Sequence, residues 1–583
     1  MIKERIEALR SLMRSKHIDA YYIPSDDFHS SENVCSHFQC RQYISGFTGS
    51  AGSVIITQQD AVLWTDGRYF IQAEQQLADT GIRLFRSGQI EVPTILQYLQ
   101  NTLINEQVLG FDGRTVNAEF TEKLQQFGIK FDANLDLVGE IWKDRPPLPC
   151  KKVYILHNNY TGKSAKHKLY ELRKKCTTYN ADVYLTTSLD EIAWLLNLRG
   201  GDIEYNPVFL AYCIIEKDTV QLFANQKCFS VEVQNYLRQL RIQLNEYNEI
   251  YTYLRSLHDK TIIIDKSAAN HTIITAAQKN TLLNDNFIQN SKAIKNEVEI
   301  ENEKIAHIKD GIAITEFIYW LKTTTNEVTE LSAAKKLEEF RNKQNHYLGQ
   351  SFYPIIAYGK HGAIIHYAAT TESNTILNHD NFVLIDTGGH YYEGTTDITR
   401  TIILGTASAE QKKHYTSVLK ANIALSRAIF REGYKGFELD CLARENLWKL
   451  GLDYNHGTGH GVGYLLNVHE EPISFSKRKG GCVFKPGMIA SNEPGLYLEN
   501  KYGIRLENLM FCKKYKNTEF GHFLCFEILT LCPFDLDAID PTMLNNQEKD
   551  FLNRYHKKVL HTLSPFVHKK TAAWLQHATQ EIL

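Results

Sequence analysis

An excess of charge of either sign is missing from this 583-residue chain: 65 Lys and Arg face 67 Asp and Glu, for a formal net charge of −2. Without a basic excess, a general nucleic-acid coat is disfavoured. No apolar run approaches the roughly 18 residues that a membrane span needs, so no membrane contact is expected. Residues Met1 to Arg14 include Lys3, Glu4, Arg5 and Glu7. They lack the unbroken apolar core of a secretory signal and read as an amphipathic surface helix. Cysteine occurs 11 times, an odd and scattered number that argues against a disulfide framework and for a reducing cytosol. Cys35 and Cys40 have no second pair at zinc spacing and read as buried thiols. What the chain does have is apolar material, 43% of residues, with 11% aromatics. That composition belongs to packed domains rather than disorder. At roughly 100–200 residues each, about three to five domains are expected.

Proline is sparse, 13 in all, yet three fall within Asp144-Arg145-Pro146-Pro147-Leu148-Pro149. Proline stiffens linkers and stops helices, so a boundary belongs there. A second lies near Lys292–Lys295, where a polar stretch opens a long helix with Ile305, Ile308 and Ile312 on helical spacing. The expected segments are therefore 1–148, 149–293 and 294–583.

The first two segments read as a diverged repeat. Asp19-Ala20-Tyr21 is echoed by Asp182-Val183-Tyr184, and Tyr43-Ile44-Ser45-Gly46 corresponds loosely to 196–200. Each match precedes two short apolar runs that read as hairpin strands: 54–56 with 62–64, and 213–215 with 221–223. With helical stretches such as Lys166–Lys174 between strands, both segments are α/β domains of one fold. The third segment mixes helices and strands differently. Val418, Ala421, Leu425 and Ile429 form a helical stripe, and a second helix is stopped by Gly451. Phe382–Asp386 and Thr396–Leu404 read as paired strands joined through a glycine-containing turn.

Unusual polar residues concentrate on strand-like frames in that third segment. Asp386 ends the run Phe382–Ile385. Asp397 sits in Gly394-Thr395-Thr396-Asp397-Ile398-Thr399-Arg400, and His460 in His456-Gly457-Thr458-Gly459-His460-Gly461-Val462-Gly463. Glu493 sits in Asn492-Glu493-Pro494-Gly495, and Glu507 in Gly503-Ile504-Arg505-Leu506-Glu507-Asn508. Carboxylates among apolar strand residues are costly to bury without partners, and hard divalent cations are suitable ones. Residues 457–463 lack the Gly-Lys-Ser/Thr ending of a P-loop and the Rossmann glycine spacing. Their glycines let backbone pack close to a crowded site.

The ordered set Asp, Asp, His, Glu, Glu in these contexts resembles the dinuclear pita-bread metallopeptidases, which include methionine aminopeptidase, prolidase and aminopeptidase P. Trp64-Thr65-Asp66-Gly67-Arg68-Tyr69-Phe70, residues 189–200 and Gly362-Ala363-Ile364-Ile365-His366-Tyr367 extend the resemblance over essentially the whole chain, to the large three-domain cytosolic Xaa-Pro aminopeptidases. The implied fold is α/β and α+β: two creatinase-like N-terminal α/β domains followed by a C-terminal pita-bread catalytic domain. The implied metal ligands are Asp386, Asp397, His460, Glu493 and Glu507, with Asp397 and Glu507 bridging two divalent ions, expected to be Mn2+. Two such ions roughly 3.5–4 Å apart share and activate one water. Glu493 is the implied proton shuttle. His366, His456 and His469 match active-site positions and are assigned to substrate binding and oxyanion stabilisation. Arg505, two residues before Glu507, is expected on the same strand face as that ligand, orienting a carboxylate, forming a plain ion pair or contacting substrate. One departure is Asn492, where the family often has Asp.

The resemblance implies removal of the first residue from peptides with proline second, a cytoplasmic location and a homodimer. Prolidase shares the five ligands but usually lacks the doubled N-terminal arrangement. A catalytically inactive, protein-binding pita-bread module would be expected to lose the ligands, which this chain keeps. Tyr367, placed after an apolar strand 363–365, is expected in an aromatic wall for the proline ring.

Overall fold

The computed structural model describes residues 1–104 and 106–583. Packing divides the chain into two units: Met1–His157 with Lys163–Ile288, and Asn158–Gly162 with Gln289–Leu583.

The first unit holds two six-stranded sheets with one topology. In the first sheet the strands lie in the order Arg83–Arg86, Ala61–Thr65, Ser53–Thr57, Ala20–Ile23, Val108–Gly110, Lys130–Asp132. In the second the order is Ile242–Asn245, Val220–Ala224, Ala211–Glu216, Val183–Thr186, Thr261–Ile264, Thr281–Asn284. Parallel and antiparallel pairings match strand for strand.

The sequence echo has a physical cause. Asp19 accepts the Val108 amide at 2.9 Å, and Asp182 accepts the Thr261 amide at 2.9 Å, so each carboxylate caps the start of the neighbouring parallel strand. Tyr21 Oη accepts the Leu137 amide and Tyr184 Oη the Phe287 amide, each at the start of a helix that follows the sheet. The other correspondence shifts by three residues. The helix Cys40–Ser45 ends on left-handed Gly46 (φ 76°), and the helix Leu189–Leu196 ends on left-handed Asn197 (φ 50°). Asn197, not Gly200, is therefore the counterpart of Gly46. Asparagine tolerates this conformation because its short amide bonds locally. At the N-terminus, the helix Ile2–Ser15 buries Ile6, Leu9 and Met13, as an amphipathic surface helix does. Cys150 and Cys228 pair as a disulfide, a bond that the scattered cysteines did not foretell; nine cysteines are free.

In the second unit, Asn296 caps the 27-residue helix Glu297–Thr323. Ile308 and Ile312 pack into the core, but Ile305 is exposed. The helix Ala409–Ser426 buries Val418, Ala421 and Leu425. Ile429 leaves that stripe because the helix has already ended; it starts the strand Ile429–Arg431 and is exposed. The helix Gly436–Trp448 runs out shortly before Gly451 (φ 71°).

A three-stranded antiparallel sheet joins Ile355–Tyr358, Asn381–Thr387 and Ile398–Leu404. The expected turn between the last two strands is itself a small hairpin, Gly389–Tyr391 with Gly394–Thr395. A six-stranded sheet runs Ile429–Arg431, Gly521–Ile528, Asn508–Thr518, Ile489–Asn492, Gly459–Gly461, Glu470–Phe475. Among the described residues, no helix is long and apolar enough to cross a membrane.

Candidate metal centre

Strand pairing gathers the site residues within each sheet, and the Glu507 amide, donating to the Thr399 carbonyl at 3.0 Å, joins residues more than 100 positions apart. Asp386 lies opposite Thr399, and Asp397 immediately precedes the strand that carries Thr399. Asn492 lies opposite Asn508. Glu493, just after the first, and Glu507, just before the second, therefore leave the same end of one antiparallel pair. His460 occupies the adjacent strand, whose Gly461 pairs with Ala490. A Cβ on Gly459 would run into the Ser491 carbonyl, and one on Gly461 into the Glu470 carbonyl. These glycines permit the close backbone approach that the crowded site demands.

Asp397, His460 and Glu507 each place a ligand atom within 4.8 Å of the others. His460 Nε2 lies 3.5 Å from Asp397 Oδ2 and 3.5 Å from Glu493 Oε1. Its Nδ1 sits 2.9 Å from the Gly461 carbonyl, which holds the proton on Nδ1 and turns Nε2 toward the carboxylates. Thr399 donates to Glu507 Oε2 at 2.8 Å, and Arg505 Nη2 donates to Asp386 Oδ2 at 2.5 Å. The other oxygens, Asp386 Oδ1 and Glu507 Oε1, are buried with no hydrogen-bond partner among the described residues. Burial, reinforced by Glu507, Asp386 and Glu493, pushes Asp397 well above the usual carboxylate range. Burial and the neighbouring Glu493 and Asp386 do the same to Glu507. Several carboxylates, orphaned oxygens and one imidazole make a donor set that fits divalent cations.

The three further histidines surround this cluster unequally. His456 Nδ1 faces the Gly457 carbonyl at 2.7 Å, its Nε2 meets Tyr497 Oη at 2.9 Å, and Nδ1 lies 4.0 Å from Glu493. The His469 ring stands edge-on to the His460 ring, centroids 4.3 Å apart. His366 is half-buried in a turn, and the carbonyl of its neighbour Ile365 accepts from Arg505.

Arg505 is almost fully buried and is engaged by Asp386, Tyr497 Oη at 2.7 Å, Thr399 Oγ1 and the Ile365 carbonyl. It ends the strand Tyr502–Arg505, whereas Glu507 lies beyond that strand, so the two do not share a strand face. Asn492 turns away from the carboxylates. Its amide donates to the Asn422 carbonyl and Ser426 Oγ, and Asn422 donates back to the Asn492 carbonyl. No strand forms at 363–365: the 3-10 turn Gly359–Ala363 runs directly into a bend and turn at 364–366. Tyr367 is buried, its hydroxyl donating to Glu330 at 2.8 Å, so it does not form an open wall. Tyr497 bridges His456 and Arg505, a role that no local sequence pattern marks.

Carboxylates from two sheets gathered around one imidazole, within a mixed helix-and-strand domain, define a metal-dependent hydrolase. Residues 301–514 match metallopeptidase family M24, and 522–582 match the C-terminal region of peptidase M24. Residues 5–145 and 144–299 each match a creatinase/prolidase N-terminal domain. The chain is 38% identical to a probable Xaa-Pro aminopeptidase P of Sordaria macrospora, covering 99% of this chain and 98% of that one. It is also 38% identical to aminopeptidase P2 of Arabidopsis thaliana, over 100% and 89%. The X-prolyl aminopeptidase of Caenorhabditis elegans, described as a cytosolic enzyme with a di-nuclear active site, superposes over 100% of both chains at TM-score 0.96 and 33% identity. The chain belongs to metallopeptidase family M24, among the Xaa-Pro aminopeptidases P.

Proposed function

We propose that this metallo-aminopeptidase releases the first residue of peptides whose second residue is proline. The observation that carries the reading is the convergence of Asp397, His460 and Glu507, with Glu493 beside His460. Names and folds of the relatives that match over the full chain support the substrate class.

Asp386, Asp397, His460, Glu493 and Glu507 would hold two divalent ions, with Mn2+ the proposed metal. Such ions, when bound, supply a nucleophile at neutral pH and charge for the developing oxyanion. Glu493 moves a proton at its carboxylate from the attacking water to the leaving nitrogen. That nitrogen is tertiary in an Xaa–Pro bond and carries no hydrogen, so recognition does not require an amide donor there. His366, His456 and His469 line the path of the substrate and its developing oxyanion, with both ring nitrogens of His456 engaged, by the Gly457 carbonyl and by Tyr497 Oη. Arg505 holds Asp386 in place rather than touching substrate. Segments 1–148, 149–293 and 294–583 are the proposed domains, with the third carrying catalysis. A cytoplasmic homodimer is the proposed setting.

A prolidase-type dipeptidase is the second reading within this chemistry. The prolidase of Pyrococcus horikoshii shares the fold over 64% of this chain, at TM-score 0.51 and 23% identity, a likeness of fold alone. Matched tripeptides Arg-Pro-Pro and Arg-Ala-Pro, with manganese supplied, test the proposal. Release of arginine from the first and little from the second is expected; equal rates reject the specificity. Cleavage of dipeptides only would favour prolidase.

A further inference from the structure

Behind the loop that carries His456 and His460 lies a pair of charges that the chemistry above does not use. Asp440 and Arg444 occupy successive turns of the helix Gly436–Trp448, and both are buried. Arg444 Nε donates to Asp440 Oδ2 at 2.6 Å. An i,i+4 ion pair on a helix is ordinarily a solvated surface contact of small net value. Here the remaining donors point out of the helix into the loop. Arg444 Nη2 donates to the His456 carbonyl at 2.7 Å, and Nη1 to the Tyr454 carbonyl at 2.9 Å and to Asp453 at 2.8 Å. Its guanidinium also lies 4.0 Å from the centre of the Tyr454 ring. Arginine's rigid fork suits several carbonyls at once in a way that lysine's single ammonium does not.

Asp440 reaches the same loop from its other oxygen. Thr458 Oγ1 donates to Asp440 Oδ1 at 2.6 Å. Because that single proton is committed, Tyr454 Oη is the donor in its 2.5 Å bond to Thr458 Oγ1. The Thr458 carbonyl, finally, accepts the backbone amide of Glu493 at 2.8 Å. A continuous chain of bonds therefore runs from Asp440 through Thr458 to Glu493, while Arg444 fixes the backbone at His456. Burying this pair carries a desolvation cost, and its bonds are directed mainly at the loop and the segment bearing the shuttle carboxylate.

We infer that Asp440, Arg444 and Thr458 are positioning residues that set His456 and Glu493 for turnover, an inference that rests on the roles proposed above for those two. None of the three contacts the metal-ligand oxygens directly, so loss of the clamp leaves the ligand set complete but misaligned. Outer partners of this kind typically change activity by about 10–100-fold.

The test uses full-length enzyme and three variants. Thr458→Val keeps the side chain's shape and removes its hydroxyl; Thr458→Ser restores a hydroxyl. Arg444→Lys keeps the charge and removes the fork, and it keeps the test decisive should Thr458→Val not fold. For Thr458→Val the expected result is a kcat on Arg-Pro-Pro lowered by about 10–100-fold, with KM within about twofold and manganese content unchanged. Hydrogen exchange of the Glu493 amide is expected to be faster by about tenfold, because its acceptor is no longer anchored. Thr458→Ser is expected to recover both. Arg444→Lys is expected to lower kcat and speed exchange within 454–460. Wild-type kcat and exchange in Thr458→Val, or in Arg444→Lys if that is the variant that folds, overturns the inference. So does loss of bound manganese, which would make the clamp a support of the metal ligands. If wild-type enzyme fails to cleave Arg-Pro-Pro while the exchange differences appear, the clamp stands and the substrate reading falls.

Discussion

Arg505 Nη2 lies 2.5 Å from Asp386 Oδ2, and Asp386 is also buried. The guanidinium is the cation that faces this carboxylate before any metal binds. Removing one partner of a buried pair costs about 3–5 kcal/mol, because the other charge is left uncompensated. Arg505→Ala is therefore expected to destabilise the chelated enzyme most, since bound cations offset part of the loss. The measurement is Tm of wild type and variant, each with chelator and with manganese. An equal Tm loss in both conditions would show that Arg505 does not serve Asp386.

Asp397 offers the clearest check on the ligand set. It is buried, 3.5 Å from His460 Nε2, and raised in pKa by burial and by three neighbouring carboxylates. In the proposed ligand set Asp397 would serve both ions, and neither neighbour would replace it. Asp397→Ala is expected to abolish activity and to lower bound metal well below wild type, read by metal analysis of dialysed protein. Wild-type metal content together with wild-type activity would remove Asp397 from the site.

Local pattern explains what was readable in the sequence. The Asp19 and Asp182 echo marks one job done twice, capping a parallel strand. Asp386, Asp397 and Glu507 stood out because each is a carboxylate set against apolar strand residues, and the fold buries all three. The Asp440–Arg444 pair did not stand out. Helical spacing shows that two charges meet, but not that their helix face is buried against residues 454–458. Nothing local links Cys150 to Cys228, 78 positions away. The apolar run 363–365 suggested a strand, yet the 3-10 turn that opens at Gly359 (φ 53°) and the turn that follows it override that tendency. Tyr367 then points its hydroxyl to Glu330, a contact between residues 37 apart.

Acid sensitivity should have an identifiable contributor. His556 is fully buried, and its Nε2 accepts the Phe534 amide at 3.1 Å. Burial, with Arg400 adding repulsion, lowers its pKa to about 3. The unfolded value is about 6.5, so the depressed folded pKa stabilises the native state above about pH 6.5, and this is lost as pH falls toward 3. At one pKa unit per about 1.4 kcal/mol, the contribution at neutral pH is of order 3–5 kcal/mol. His556→Gln keeps an acceptor but does not titrate. The Tm gap between wild type and this variant, both with chelator, is expected to shrink steadily from pH 7 to pH 4. A gap independent of pH would contradict this.

The histidines separate turnover from metal binding. His456 Nδ1 is held by the Gly457 carbonyl, and its Nε2 meets Tyr497 Oη, which in turn accepts from Arg505 Nη1 at 2.7 Å. Burial raises the Tyr497 hydroxyl above its ordinary pKa, so it stays protonated at neutral pH. His456 and Tyr497 thus act as one unit, whereas His469 contacts the ring of His460 and His366 lies in the turn beside Arg505. His456→Ala is expected to retain manganese and to lower kcat/KM by about 10–100-fold, the scale of a residue that supports the site. Tyr497→Phe is expected to lose less, because it removes the support and leaves the imidazole. In the double variant the loss is expected to match that of His456→Ala alone, since residues in one hydrogen-bonded unit are not additive. His366→Ala and His469→Ala are expected to retain metal and lose turnover. The readouts are kcat/KM on Arg-Pro-Pro and metal per chain for each variant. Additive losses at His456 and Tyr497 would show that the two act separately, and loss of metal from His469→Ala would move that residue into the ligand set.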